Sequence, residues 1–147
     1  MIARMLSRLM APAPAPLPAS EARLALGALL VRLARSDDRY TADEAARIDR
    51  VLASRYALSP FEAAAVRREA ETVEAEAPDT VRFTRALKDA VPHEDRIGIL
   101  TALWDVALSD GERDAEEDAL IRLVANLLGV NDRDSALARQ RVEQGRP

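Results

Sequence analysis

The stretch SDGERDAEE, residues 109–117, lies between two strongly apolar segments and has an earlier counterpart in SDDRYTADE, residues 36–44. The two stretches align at an offset of 73 residues, and the alignment continues into the segments that flank them. Identical pairs at this offset include Leu30/Leu103, Ala34/Ala107, Asp37/Asp110, Glu44/Glu117, Ile48/Ile121 and Val51/Val124. We therefore predict that the chain contains two copies of one helical unit, each of which turns at an acidic loop.

Apolar residues recur at helical spacing along most of the chain, and no segment of useful length alternates with the period of a strand. Thr41-x-x-Glu44 and Ser59-Pro60-x-Glu62 are capping boxes that predict helix starts, and Gly129 predicts a helix end. A third helix and a seventh helix also correspond, at an offset of 72 residues. The predicted fold is all-α, with about seven helices in two pseudo-repeated three-helix units joined by a bridging helix over residues 80–90.

Composition limits the functional classes. The 147 residues are 48% hydrophobic, which is enough for one domain with a buried core. A formal net charge of −4 argues against a nucleic-acid binder, which needs an excess of cationic groups facing phosphates. The absence of cysteine excludes disulfides, thiolate metal sites and cysteine nucleophiles. No apolar run approaches the roughly 20 residues that a membrane-spanning helix needs.

The first ten residues form an amphipathic segment, predicted to be a short helix. Its apolar face carries Ile2, Met5, Leu6, Leu9 and Met10, whereas Arg4 and Arg8 add positive charge and interrupt the apolar core that a signal peptide requires. The segment either packs back on the domain or frays, or it makes a peripheral contact with a membrane surface or a partner groove. Residues 11–19 are an Ala/Pro linker, residues 20–144 the helical domain and residues 145–147 a tail.

The acidic loops allow two interpretations. Asp110, Glu112, Asp114 and Glu117 crowd carboxylates into eight residues, and hard oxygen ligands of this kind suit Ca²⁺ or Mg²⁺. Alternatively, the acids only cap helices. Carboxylates in a first helical turn accept hydrogen bonds from backbone N–H groups and are stabilised by the helix dipole. Capping does not account for Asp37 and Asp110, which follow the end of a helix. The spacing is not that of an EF-hand.

The acidic segment resembles the TerB-like family, named after a tellurite-resistance protein. Residues 107–117 match the pattern Ala-x-Ser-Asp-Gly-Glu followed by x-Asp-x-x-Glu, and residues 34–44 match it less well because Asp38 stands at the usual glycine and Arg39 at the usual acid. The resemblance covers about residues 20–141. It implies an all-helical fold, a cytoplasmic role in stress or tellurite response near membrane-associated complexes, and acidic loops that bind a divalent cation. Carried over by position, the implied metal ligands are Asp37, Glu44, Asp110, Glu112 and Glu117.

The leading functional interpretation is a non-enzymatic, cytoplasmic binding or scaffold module that responds to a divalent cation and docks on a protein or membrane-associated partner. The first alternative is a structural interaction domain whose acids are caps and bind no metal. A metal-assisted hydrolase that uses the same carboxylates comes next. We expect no enzymatic activity, since His93 is the only histidine and exposed turn carboxylates with near-normal pKa values are poor acid–base catalysts. Trp104 falls on an apolar helix face and is predicted to be core.

Overall fold

The computed structural model of the protein describes residues 19–76, 79–109 and 114–145. Within these residues the chain is all-helical and has no strand, which confirms the predicted fold class. The predicted N-terminal helix, the linker up to residue 18 and the last two tail residues lie outside the described residues. The helices are α1 Ala19–Arg35, α2 Ala42–Tyr56, α3 Pro60–Glu76, α4 Thr80–Ala90, a 3₁₀ turn His93–Asp95, α5 Arg96–Ala107, α6 Ala115–Leu128 and α7 Asp132–Gln144.

Helix α1 is the centre of the fold. The helical spacing of apolar residues in α1 predicts one apolar face. From Ala22 to Ala34, however, every residue except Arg23 and Arg32 is buried. A helix that is apolar on nearly every side has to be covered on every side, and α1 packs against α2, α3, α4 and α5. The approach of α3 is close: a Cβ atom at Gly27 would lie 3.0 Å from the Cβ of Ala70.

Local capping chemistry sets most helix ends. Thr41 and Glu44 form the predicted reciprocal capping box at the start of α2. At the start of α3, the Ser59 N–H donates to Glu62 Oε1 at 2.9 Å and the Glu62 N–H donates to Ser59 Oγ at 3.1 Å. Gly129 ends α6 in the left-handed conformation, with φ of 74°. Sequence signals of a few residues therefore located these boundaries correctly.

The start of α5 differs from the prediction. Proline is favoured at the first position of a helix, so Pro92 predicts a helix start. Pro92 is instead extended, with ψ of 151°, and a 3₁₀ turn at His93–Asp95 precedes the first α-helical residue, Arg96. The Asp95 N–H donates to the Pro92 carbonyl at 2.9 Å, which closes this tighter turn.

Arg96 connects the ends of two helices. Its guanidinium donates to the carbonyls of Lys88 at 3.0 Å and Val91 at 3.1 Å, at the end of α4, and to the carbonyl of Leu128 at 3.3 Å, at the end of α6. Carbonyls in the last helical turn lack partners within the helix and carry partial negative charge. The guanidinium group of Arg96 therefore donates hydrogen bonds to carbonyl acceptors at the ends of both α4 and α6.

The two halves show related packing, although their common origin stays a prediction. Helix α1 packs on α3 and helix α5 packs on α7. The predicted offset of 72 residues relates the ion pair between Arg67 and Glu71, at 3.0 Å, to the pair between Arg139 and Glu143, at 3.6 Å. None of the helices in the described part of the chain has the length and apolar composition needed to cross a lipid bilayer.

Candidate functional site

Asp37 begins the turn between α1 and α2. Its Oδ1 atom accepts a hydrogen bond from the Arg39 N–H at 2.9 Å. The next residue, Asp38, is left-handed with φ of 62°, and its N–H donates to the Arg35 carbonyl at 3.0 Å. Asparagine and aspartate tolerate this conformation better than other residues with a Cβ atom. The turn thus gives Asp37 a local structural role that sequence analysis did not foresee.

Glu44 is held by the capping box at the other end of this loop. Its Oε1 atom accepts from the Thr41 N–H at 2.9 Å and from the Thr41 hydroxyl at 3.2 Å, and its own N–H donates to Thr41 Oγ1 at 3.1 Å. The structure thus brings Asp37 and Glu44 into one short loop in which each carboxylate has an oxygen atom bonded to the backbone.

The second acidic loop is described only at its two ends. Asp110 and Glu112 lie outside the described residues. Asp114 caps α6, because its Oδ1 atom accepts from the N–H groups of Glu116 at 2.8 Å and Glu117 at 3.1 Å. The side chain of Glu117 is only 4% exposed. A buried glutamate in a first helical turn was not expected, since sequence analysis treated it as an exposed turn acid.

A cavity of about 440 Å³ connects the two loops. We call it the loop cavity, and its lining residues are Asp37, Arg39, Thr41, Asp43, Glu44, Ala46, Arg47, Arg50 and Ser109. Ser109 directly precedes Asp110 in the chain. The base of the second loop therefore lies beside the first loop, whereas Glu117 is not among the residues that line this cavity.

The loop cavity has mixed charge. Three acids, Asp37, Asp43 and Glu44, face three guanidinium groups. In the described ranges, no group of three or more acidic or histidine side chains is arranged to hold a metal ion. Since Ca²⁺ takes six to eight oxygen ligands, the described carboxylates alone do not complete a cation site.

Asp105 is a residue of this region that sequence analysis missed. It pairs with Arg47 at 3.5 Å, which links α5 to α2 at the edge of the loop cavity. The available signal was the position of Asp105, which is the only acid in helix α5 and lies among apolar residues.

Comparison with known proteins gives one family. The family model described as "Tellurite resistance protein TerB" matches residues 23–140, which confirms the resemblance that the acidic segment indicated. Neither the curated proteins nor the solved structures gave a match. The family match begins within α1 and ends within α7, so that it includes the loop cavity and the whole of α2 to α6. The chain therefore belongs to the TerB family.

Proposed function

We propose that the protein is a non-enzymatic helical module that binds a protein partner in the cytoplasm and responds to a divalent cation. The observation that carries this proposal is the loop cavity, where the first acidic loop meets the residue preceding the second. The link to stress or tellurite response rests on the name of the family alone.

The cation would act on the loops by charge neutralisation. Asp37 and Glu44 each place a carboxylate on the loop cavity, and Asp110 and Glu112 follow Ser109 within three residues. Carboxylates held together in one place repel each other, and a bound Ca²⁺ or Mg²⁺ would relieve that repulsion. The turn after α1 and the loop after α5 would then be joined, which changes the surface that a partner meets.

The carboxylates of this cavity are proposed to bind and not to catalyse. One oxygen atom of Asp37 and one of Glu44 already accept backbone hydrogen bonds. A general base has to lie within hydrogen-bond reach of the proton that it abstracts, and these oxygen atoms are already engaged by the backbone of the loop.

A thermal-unfolding titration with Ca²⁺ and Mg²⁺ tests the proposal. A ligand that binds only the folded state stabilises it by about 2.7 kcal/mol at 100 times the dissociation constant. We expect a saturable rise in melting temperature for the wild type and its loss in Asp37→Asn and Asp110→Asn. Asn keeps an oxygen acceptor for the turn at position 37, so that the first variant removes charge and retains the local geometry.

Asp89→Asn is the matched control, since Asp89 is an exposed acid on α4 and does not line the loop cavity. Its response to cation should equal that of the wild type. The absence of any shift at millimolar cation would refute the cation response.

The main alternative is a structural interaction domain in which the acids only cap helices. The caps by Thr41 with Glu44 and by Asp114, and the turn made by Asp37, favour it specifically. Under this alternative, the Asp37→Asn/Asp110→Asn double variant would keep full stability and show no effect of cation.

Partner docking through residues 1–10 is a separate part of the proposal. These residues lie outside the described part of the chain, and the argument is their amphipathic sequence. Charge reversal in the full chain, Arg4→Glu with Arg8→Glu, should reduce sedimentation with anionic vesicles. Unchanged sedimentation would refute the membrane contact.

A further inference from the structure

Helices α2 and α5 lie side by side, and a second cavity of about 560 Å³ opens between them. We call it the seam cavity, and its lining residues are Arg50, Val51, Ser54, Arg55, Gly98, Thr101, Ala102 and Asp105. We propose that the seam cavity binds a phosphate dianion, through the guanidinium groups of Arg50 and Arg55 and the hydroxyl of Ser54. This site is independent of the cation response proposed for the loops.

The two arginines lack a carboxylate partner among the described residues, although Arg55 also bonds to the side chain of Tyr56. Within residues 19–76, 79–109 and 114–145, neither Arg50 nor Arg55 forms an ion pair with a carboxylate. The Nε atom of Arg55 is buried and has no hydrogen-bond acceptor. An unsatisfied buried donor is costly, and more so when it is charged. An oxyanion that enters the cavity would lie beside this guanidinium charge, which no carboxylate of the described residues pairs with.

Gly98 accounts for the position of Arg55. A Cβ atom at Gly98 would lie 2.7 Å from Nη1 of Arg55, which is closer than two such atoms can approach. The missing side chain lets the guanidinium rest against the backbone of α5, beside the ring of Tyr56, with 5.8 Å from the guanidinium carbon to the ring centroid. Glycine inside a helix costs about 1 kcal/mol relative to alanine. Helix α5 is therefore less stable at Gly98 than it would be with alanine, and this is the residue that contacts the guanidinium of Arg55.

The balance of charge and donors favours phosphate. Two guanidinium groups face one carboxylate, and that carboxylate, Asp105, is paired with Arg47 at 3.5 Å. Guanidinium groups bind phosphate oxygens through two parallel N–H donors. Ser54 adds an exposed hydroxyl one turn after Arg50 on α2. Thr101 gives no donor, because its hydroxyl already donates to the Ile97 carbonyl at 3.1 Å.

Equilibrium dialysis of the full chain against inorganic phosphate tests the proposal, with ionic strength held constant by chloride and without divalent cation. We expect saturable binding for the wild type and a loss of affinity of about tenfold or more in Arg50→Gln, since a hydrogen bond to a charged group contributes that much. Arg85→Gln is the control, because Arg85 is exposed on α4 and lines neither cavity. It should bind phosphate as the wild type does.

Gly98→Ala is a second test that does not threaten the fold. Alanine favours the helix, and the atom it displaces is the far end of a flexible side chain. We expect unchanged or raised stability together with weaker phosphate binding. Equal affinity in the wild type, Arg50→Gln and Gly98→Ala would overturn the proposal, as would the absence of saturable binding to any source of phosphate.

A vesicle assay separates the sources of phosphate. Sedimentation with phosphatidylcholine vesicles that contain phosphatidic acid, lost in Arg50→Gln and kept in Arg85→Gln, would assign the site to a lipid headgroup. Dialysis binding without such sedimentation would assign it to a soluble phosphate. Binding to neither would overturn the proposal.

Discussion

Replacing Ala57 with glycine should stabilise the protein. Ala57 ends α2 in the left-handed conformation, with φ of 54° and ψ of 48°. Its N–H and the N–H of Leu58 both donate to the Ala53 carbonyl, so the conformation is fixed by the helix end. This conformation destabilises a residue with a Cβ atom by about 1–2 kcal/mol, whereas it does not strain glycine.

This gain in folded-state stability is partly offset, because glycine also lowers the free energy of the unfolded chain. Glycine has more conformational freedom there, which costs about 0.4–1 kcal/mol on folding. The side chain of Ala57 is exposed, so that removing its methyl group sacrifices little packing. The net effect should be an increase of about 0.5–1 kcal/mol in the free energy of unfolding. For a domain of this size, the melting temperature should rise by about 1–4 °C.

Urea denaturation measures this change, and a second glycine substitution in the same helix serves as the control. Ala46 is exposed within α2, where glycine should lower the free energy of unfolding by about 1 kcal/mol. Each variant loses one methyl group, but Ala57→Gly should raise the free energy of unfolding whereas Ala46→Gly should lower it. A destabilised Ala57→Gly variant would show that strain at the helix end is not the governing term.

Three further perturbations have defined outcomes. Arg96→Met should lower the free energy of unfolding by about 2 kcal/mol, because three helix-end carbonyls lose a charged donor. Urea denaturation measures this change, and an unchanged denaturation midpoint would contradict the prediction. The bonds from Ser59 hold the pKa of Glu62 below its ordinary 4.5, so Glu62→Gln should be less stable than wild type near neutral pH, and the gap should close as pH falls through that lowered pKa. Burial raises the pKa of Tyr40, with a further contribution from its bond to Glu71, and also raises the pKa of Tyr56. Tyrosinate absorbance should therefore develop at higher pH in the native protein than in the unfolded protein, and coincident titration curves would refute this.

Helix boundaries were predictable because their causes are local. The capping boxes at Thr41 and Ser59 and the glycine at 129 act through hydrogen bonds or dihedral angles within four residues. The end of α2 was less visible, since Ala57 adopts the conformation that usually calls for glycine. Here the backbone hydrogen bonds of the helix end impose a conformation that the residue type does not signal.

The candidate site was predictable only in part. Asp37 and Glu44 are close in the sequence and also in the structure. A repeat predicts that its two loops meet only if the two units pack about a pseudo-twofold axis, so the approach of Ser109 to the first loop needed the structure. The seam cavity had no such signal, because the relation of Arg55 to Gly98 depends on how two helices lie against each other. Contacts between residues 43 positions apart leave no mark in local periodicity.

The burial of α1 has a consequence for synthesis of the protein. This leucine-rich helix is synthesised before the helices that cover it, and α5, one of those helices, ends about 70 residues later. At roughly 5–20 residues per second, roughly 4–14 s pass between the completion of α1 and the completion of α5. During that time the side of α1 that α5 covers stays an exposed apolar surface of the kind that chaperones bind. Completion of α5 is therefore the step that allows this side of α1 to be buried.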